Sequence, residues 1–296
     1  DELNHPSLFM LNKRLRKAAG CPIISIVHHL RSSELRSHRQ NVLYERVEKI
    51  FLNGVDGFVF PSRTTESAVR SIVSEDKPYV IANPGKDSVR GGASPDDVVS
   101  RSRESGPLRI LFVGNLIPRK GLHTLLDALA KLPTGQWILR VVGNTKTDPR
   151  YTAGIHKQVQ RLGLEGGIDF LGTVTGERLS HLYSSSHILA VPSSYEGFGM
   201  VYVEGMAFGL PAIASTFGAA CEIVKHGVNG FLIEPEDTQA LADHFFGLIS
   251  DRQSLAQMGL MALKCHNEHP SWSETGGKIR SLLVKMVNSR ENIGSY

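Results

Sequence analysis

Short apolar runs rich in β-branched residues alternate along this chain with longer stretches of helical periodicity. In the second half the alternation is regular. RILFVG (109–114), WILRVVG (137–143), IDFLG (168–172), HILAVPS (187–193), PAIAS (211–215) and GFLIEP (230–235) each read as a strand. Helices are predicted between them over 121–132, around 151–162, around 177–185, over 200–209 and near 220–226, with more helix after the last strand to about Asn267. Six mainly apolar strands alternating with helices predict a parallel sheet covered by helices on both faces. Such sheets bind ligands beyond the carboxyl ends of their strands. Those ends are Gly114, Gly143, Gly172, Ser193 and Ser215.

The first half follows the same alternation with only three strands: PIISIVHHL (22–30), GFVFPS (57–62) and YVIANPG (79–85), with helices over 40–53 and from about Thr64. A doubly wound domain usually has more strands, so an N-terminal piece of this one is expected to be absent. The first residue, Asp1 rather than Met, agrees with a fragment. Between the halves, Lys86 to Gly106 is polar and rich in turn residues, and is the best linker in the chain. The fold class expected is α/β, with two Rossmann-like domains, the first incomplete and the second complete. The expected boundaries are 1–100 for a partial acceptor-side domain, 101–270 for a nucleotide-sugar domain and 271–296 for a helix returning to the first domain.

Composition narrows the functions. Hydrophobic residues make up 41% and charged residues 21% of the 296, as in a soluble globular protein. Cys21, Cys221 and Cys265 are far apart, without CxxC spacing, which argues against a zinc site or a disulfide framework and suits a reducing, cytoplasmic compartment. No apolar run approaches the ~20 residues of a membrane span, and no signal peptide is visible. A net charge of +4 is too weak to imply nucleic acid. Lys13, Arg14, Arg16 and Lys17 follow the apolar Leu8 to Leu11. Two readings stand for them: a basic amphipathic helix on the inner face of an anionic membrane, giving a peripheral contact, or a solvated helix face.

The densest candidate chemistry runs from Pro192 through Ser193, Ser194, Tyr195, Glu196, Gly197, Phe198 and Gly199 into a helix carrying Glu204. A strand ends, a glycine-bearing turn follows and a helix starts. N–H groups at a helix start point at an anion, and Gly197 and Gly199 allow close backbone approach, as a phosphate site needs. A tight turn that merely requires glycine is the plainer explanation. Glu204 lies early in an otherwise apolar helix, where a carboxylate wants hydroxyl donors such as a ribose diol; Glu196 can receive hydroxyls of a sugar. A dipole interaction and one surface acid would explain the two without a ligand. A second cluster, Gly114-Asn115-Leu116-Ile117-Pro118-Arg119-Lys120-Gly121, also follows a strand and opens a helix. Arg119 and Lys120 there oppose the helix dipole, which disfavours their being ordinary surface bases.

These residues resemble the retaining glycosyltransferases of family four, which have the GT-B fold. The resemblance covers about residues 108–290, carried by VGNLIPRKGLHTLLDAL, FLGTV, the Glu-x(7)-Glu pair Glu196 and Glu204, GLPAIAS, EIV and NGFLIEP. It implies transfer of a hexose from a nucleotide-diphosphate sugar to a sugar acceptor, with no cofactor and no metal; the basic residues near the N-terminus add a lipid-linked acceptor as an alternative. By resemblance, Lys120 contacts the donor diphosphate, Gly197, Phe198 and Gly199 surround the phosphates, Glu196 holds sugar hydroxyls and Glu204 the ribose. Val174 falls in the nucleobase loop, and the helix from about Ser271, with Trp272, resembles the segment that returns to the first domain. ISIVHHL resembles a family strand ending in a histidine that faces the donor, which points to His28, with His29 as substitute. FVFPSRTTE (58–66) resembles the segment before a helix of that domain.

The sequence departs from the family at Asn115, where arginine is common, so Arg119 is a candidate for that diphosphate contact. It departs also at Gly218-Ala219, where paired glycines are common, and at 83–87. The family's first strand and its glycine loop have no counterpart. Metal-independent transfer agrees with the absence of an Asp-x-Asp triad. A non-catalytic nucleotide-sugar-binding protein is the alternative. A dehydrogenase on a similar sheet would need G-x-G-x-x-G after a strand, and none is present.

Overall fold

The computed structural model describes residue 12, residues 21–34 and residues 37–291, with side chains to residue 288. The basic N-terminal stretch, Lys13 to Lys17, lies outside the described residues. The described residues form two compact units, one drawn from those up to 85, 196–198 and those from 270 onward, the other of 86–195 and 199–269.

In the first unit, β1 (Ile24–Ile26), β2 (Gly57–Phe60) and β3 (Tyr79–Ile81) form a parallel sheet in that order. All four residues of β2 are buried, and successive side chains enter different cores, as a strand covered on both faces requires. Phe58 and Phe60 pack with Val27, Phe51, Leu52 and Val69, the last three contributed by α1 (His38–Asn53) and α2 (Arg63–Arg70). Val59 packs on the other side with Ala82, Leu282 and Met286 of α11 (Trp272–Glu291). The first strand is shorter than PIISIVHHL suggested. The apolar run continues past Ile26, but Val27 and Leu30 fill the core from a loop.

The second unit carries β4 (Leu108–Val113), β5 (Trp137–Val142), β6 (Ile168–Gly172), β7 (Ile188–Ala190), β8 (Ala212–Ser215) and β9 (Gly230–Ile233). Their order is β6-β5-β4-β7-β8-β9, all parallel. This is the doubly wound arrangement with a switch point between β4 and β7. Among its helices, α4 (Leu122–Leu129) follows β4, α5 (Pro149–Leu162) follows β5, α6 (Gly176–Ser184) follows β6 and α7 (Met200–Ala207) follows β7. Then come α8 (Ala220–Ile223), α9 (Thr238–Ser250) and α10 (Arg252–Glu268).

One expectation needs correction. The stretch read as a linker contains α3 (Pro95–Arg103), with Pro95 in its first turn and a capping box between Ser94 and Asp97. Val98 is fully buried, and α3 packs on α10. The segment is part of the second unit's core despite its polar composition. Among the described residues no helix is long and apolar enough to cross a membrane.

Candidate functional site

The two loops singled out by sequence are the two that flank the switch point of the six-stranded sheet. After β4 the chain makes a tight turn over Pro118–Lys120, then Gly121 at φ 71° starts α4. After β7 it runs through Pro192 to Tyr195, and Gly199 at φ 100° starts α7. Two helices therefore begin on either side of one crevice, each presenting N–H groups without intrahelical partners.

These loops are held against each other. Ser194 donates its backbone N–H to the carbonyl of Arg119 at 2.8 Å. The Arg119 guanidinium donates to the carbonyl of Tyr195 at 2.7 Å. The approach is so close that a Cβ on Gly121 would collide with the carbonyl oxygen of Pro192. Tyr202, fully buried in the first turn of α7, donates its hydroxyl to the carbonyl of Val191 at 2.7 Å, tying the helix back to the strand it follows.

Lys120 is half-buried, and its methylene stem lies along the end of β4. A Cβ on Gly114 would sit 3.3–3.4 Å from three of its carbons. Gly114 thus leaves the channel in which the lysine runs. Asn115 is exposed in the same loop. Val174, two residues past β6, is buried with 6% exposure. Glu204, in the second turn of α7, is half-buried, and burial raises its carboxyl above the ordinary range. It accepts a hydrogen bond at 2.9 Å from the hydroxyl of Tyr183 at the end of α6.

The second unit thus brings Asn115, Arg119, Lys120, Gly199 and Glu204 onto the carboxyl side of one sheet. Glu196, Gly197 and Phe198 group with the first unit instead. There the carbonyl of Gly197 accepts from Ser62 Oγ at 2.9 Å, with Thr65 Oγ1 at 3.3 Å. A Cβ on Gly197 would strike the carbonyl of His28. Glu196 and Phe198 are both buried, at 7% exposure each. His28 is exposed in the loop after β1, whereas the neighbouring ring of His29 hydrogen-bonds Glu34 at 2.9 Å. That loop is braced by Glu48 of α1, a carboxylate 1% exposed that accepts the N–H of Arg31 at 2.7 Å and the hydroxyl of Ser32.

Sequence reasoning missed Tyr183, Tyr202, Ser62, Thr65 and Glu48. Tyr183 stands before a polar Ser-Ser-Ser-His tract that drew no attention. Ser62 did carry a signal, since Ser-Arg-Thr-Thr-Glu is a helix start and its hydroxyl caps the N–H of Thr65 at 3.0 Å.

D-inositol 3-phosphate glycosyltransferase of Corynebacterium efficiens is 33% identical over 211 residues, 68% of this chain and 50% of the relative. This chain spans about half the length, or less, of the first few curated relatives it matches. Sucrose-phosphate synthase of Thermosynechococcus elongatus superposes with a TM-score of 0.82 at 25% identity, over 95% of this chain and 72% of that one. Anabaena HepE, solved in complex with UDP and glucose, gives 0.78 at 26% identity, over 93% of this chain and 75% of its own. These neighbours have the GT-B fold. The model of the family described as glycosyl transferases group 1 matches residues 96–264. That match covers more than half of the chain and contains both loops of the switch point, so the chain belongs to the group 1 glycosyl transferases, the family-four enzymes of GT-B fold.

Proposed function

We propose that this chain transfers a hexosyl group from a nucleoside diphosphate sugar to a hydroxyl of a carbohydrate or lipid-linked acceptor. The anomeric configuration is retained, and protein groups rather than a divalent ion grip the diphosphate. The observation that carries this reading is the pair of loops locked across the switch point, with Lys120 beside the first and α7 opening from the second.

The reaction breaks the bond between the anomeric carbon and the diphosphate oxygen while the acceptor oxygen bonds that carbon. Negative charge grows on the leaving diphosphate. Groups of positive potential fixed in advance stabilise that charge without reorganising. Lys120 and the N–H groups at the start of α7 are assigned this role, with Gly199 allowing close approach. Asn115, uncharged and exposed, adds a hydrogen-bonding amide at most. Arg119 acts chiefly by holding the second loop, since one of its N–H groups is already given to Tyr195. Glu204 takes ribose hydroxyls and Val174 lies by the nucleobase. Of the residues grouped with the first unit, His28 and Glu196 are assigned by resemblance to the sugar, and Gly197 and Phe198 to the phosphates. The bound UDP and glucose of the HepE structure support a nucleotide-sugar donor and make UDP the first nucleotide to try. Cys21, Cys221 and Cys265 are free thiols, in keeping with a cytoplasmic setting.

A thermal-shift panel of UDP, GDP, ADP and their sugars tests the reading. A ligand that binds only the folded state adds about 2.7 kcal/mol of stability at a hundredfold excess over its Kd. One nucleotide family is expected to raise Tm, and its sugar is expected to be consumed when acceptors are supplied. No shift at saturating concentration overturns the assignment. Binding without transfer or hydrolysis would favour a non-catalytic nucleotide-sugar-binding protein.

A further inference from the structure

Glu204 is held by a single side chain. Among the described residues the only hydrogen bond to its carboxylate comes from Tyr183, which donates to Oε2 at 2.9 Å. A carboxylate offers about four acceptor positions over its two oxygens, so Oε1 retains its capacity for donors brought by a ligand. Half-burial makes that capacity valuable, since a charged carboxylate with few donors is penalised.

The donor is itself fixed. Tyr183 is 0% exposed. Its ring stacks on Phe208, with centroids 5.4 Å apart and planes 12° from parallel, and Phe208 directly follows the last residue of α7. The chain just past the helix carrying Glu204 therefore supplies the ring that holds the tyrosine. Burial and the neighbouring carboxylate push the phenol well above its ordinary value of 10, so its hydroxyl stays a donor at every working pH. A buried tyrosine satisfied by the nearest acceptor would explain the bond alone. It would not explain why that acceptor is the one carboxylate of an otherwise apolar helix at a ligand edge.

We propose that Tyr183 is a positioning residue for the ribose of the donor nucleotide, its hydroxyl fixing Oε2 of Glu204 so that Oε1 takes the ribose hydroxyls. This rests on the assignment of Glu204 to the ribose. A fixed acceptor discriminates ribose from deoxyribose, because a site built to bond a hydroxyl is left unpaired by an analogue lacking it.

The test compares the nucleoside diphosphate that binds best among UDP, GDP and ADP with its 2′-deoxy form, by titration on the full chain. The wild type is expected to favour the ribonucleotide by about tenfold or more. Tyr183→Phe, which keeps the stacked ring, is expected to raise the ribonucleotide Kd about fivefold to tenfold while barely changing the deoxy value. In turnover the donor KM rises while kcat holds. Glu204→Ala is expected to abolish the discrimination, and Tyr183→Phe added to it changes nothing further, as two residues acting as one unit require. Wild-type discrimination in Tyr183→Phe, with loss in Glu204→Ala, overturns the role of Tyr183 and leaves that of Glu204 standing. Discrimination surviving in Glu204→Ala, or absent from the wild type, overturns both. Should Tyr183→Phe not fold, Phe208→Leu loosens the same ring and is expected to lose part of the discrimination; its full retention overturns the proposal.

Discussion

Arg119 and Ser194 are joined through their backbones, the N–H of Ser194 meeting the carbonyl of Arg119 at 2.8 Å, and the Arg119 side chain reinforces the join through Tyr195. Arg119→Met keeps the stem and removes the donor that reaches the Tyr195 carbonyl. The expected loss is ~1–3 kcal/mol of stability in urea unfolding, with weaker nucleotide binding. Arg119→Lys restores part of both. If Arg119→Met unfolds and binds like the wild type, the join is dispensable.

The glycines of the second unit differ in what surrounds them, which separates backbone strain from collision. Gly121 has φ 71° and lies against the Pro192 carbonyl, whereas Gly163 has φ 67° with open space where a Cβ would stand. Gly163→Ala should cost about 1 kcal/mol, for the left-handed conformation alone. Gly121→Ala should cost at least ~2 kcal/mol more and weaken nucleotide binding, because the two loops must part. Equal losses in chemical denaturation would show that the loops yield freely.

Kinetics should separate Lys120 from Glu204. A group that meets charge developing in the transition state affects kcat, whereas one that holds an unreacting part of the substrate affects binding. Lys120→Ala is expected to lower kcat about 10²- to 10³-fold with a small change in donor affinity. Glu204→Ala is expected to raise the donor KM about tenfold or more at nearly unchanged kcat. Identical profiles for the two variants would contradict their separate roles.

Acid sensitivity should trace to His187, far from either loop. The ring is 2% exposed. Its Nδ1 accepts the N–H of Arg109 at 2.9 Å, and its Nε2–H donates to the carbonyl of Arg101 at 3.0 Å. Burial, followed by the charges of Arg109 and Arg252, lowers it from 6.5 to about 3. Between those values the unfolded chain carries a proton that the folded chain lacks. The stabilising contribution is complete above pH 6.5 and falls by ~1.4 kcal/mol per unit as pH drops toward 3. His187→Gln should be less stable at pH 7 and show a flatter decline between pH 6 and 4 (roughly one proton less). Parallel urea-stability curves for variant and wild type across that range would remove His187 from the account.

Much of the fold was legible because buried parallel strands advertise themselves. All six strands of the second unit were visible as apolar runs, and a glycine loop before an apolar helix marked α7. Their order was not legible. The pairing of β4 with β7 joins segments about 80 residues apart, as in Ile110 with Ile188, and local pattern is silent on such neighbours. α3 escaped notice because its buried face is narrow. Val98 is apolar, but Arg101 and Ser102 are buried beside it, the arginine's two Nη groups donating to the carbonyls of Ser184, Phe208 and Gly209. Polar residues at inward positions erase the periodicity that identifies a helix. The candidate site was legible as residue types at strand ends. Its internal bracing was not, since Tyr183 reaches Glu204 across 21 positions of sequence and Ser62 reaches Gly197 across 135.

The interruption of the first unit by the second has a consequence for how the chain is made. Val59 and Ala82 emerge from the ribosome early, but their partners Leu282 and Met286 follow some 200 residues later. At ~5–20 residues per second, one greasy face of β2 and β3 waits roughly ten seconds or more for its cover. During vectorial synthesis that face is a client surface for holding chaperones. A nascent chain arrested near residue 270 should be captured by them far more strongly than one released after α11.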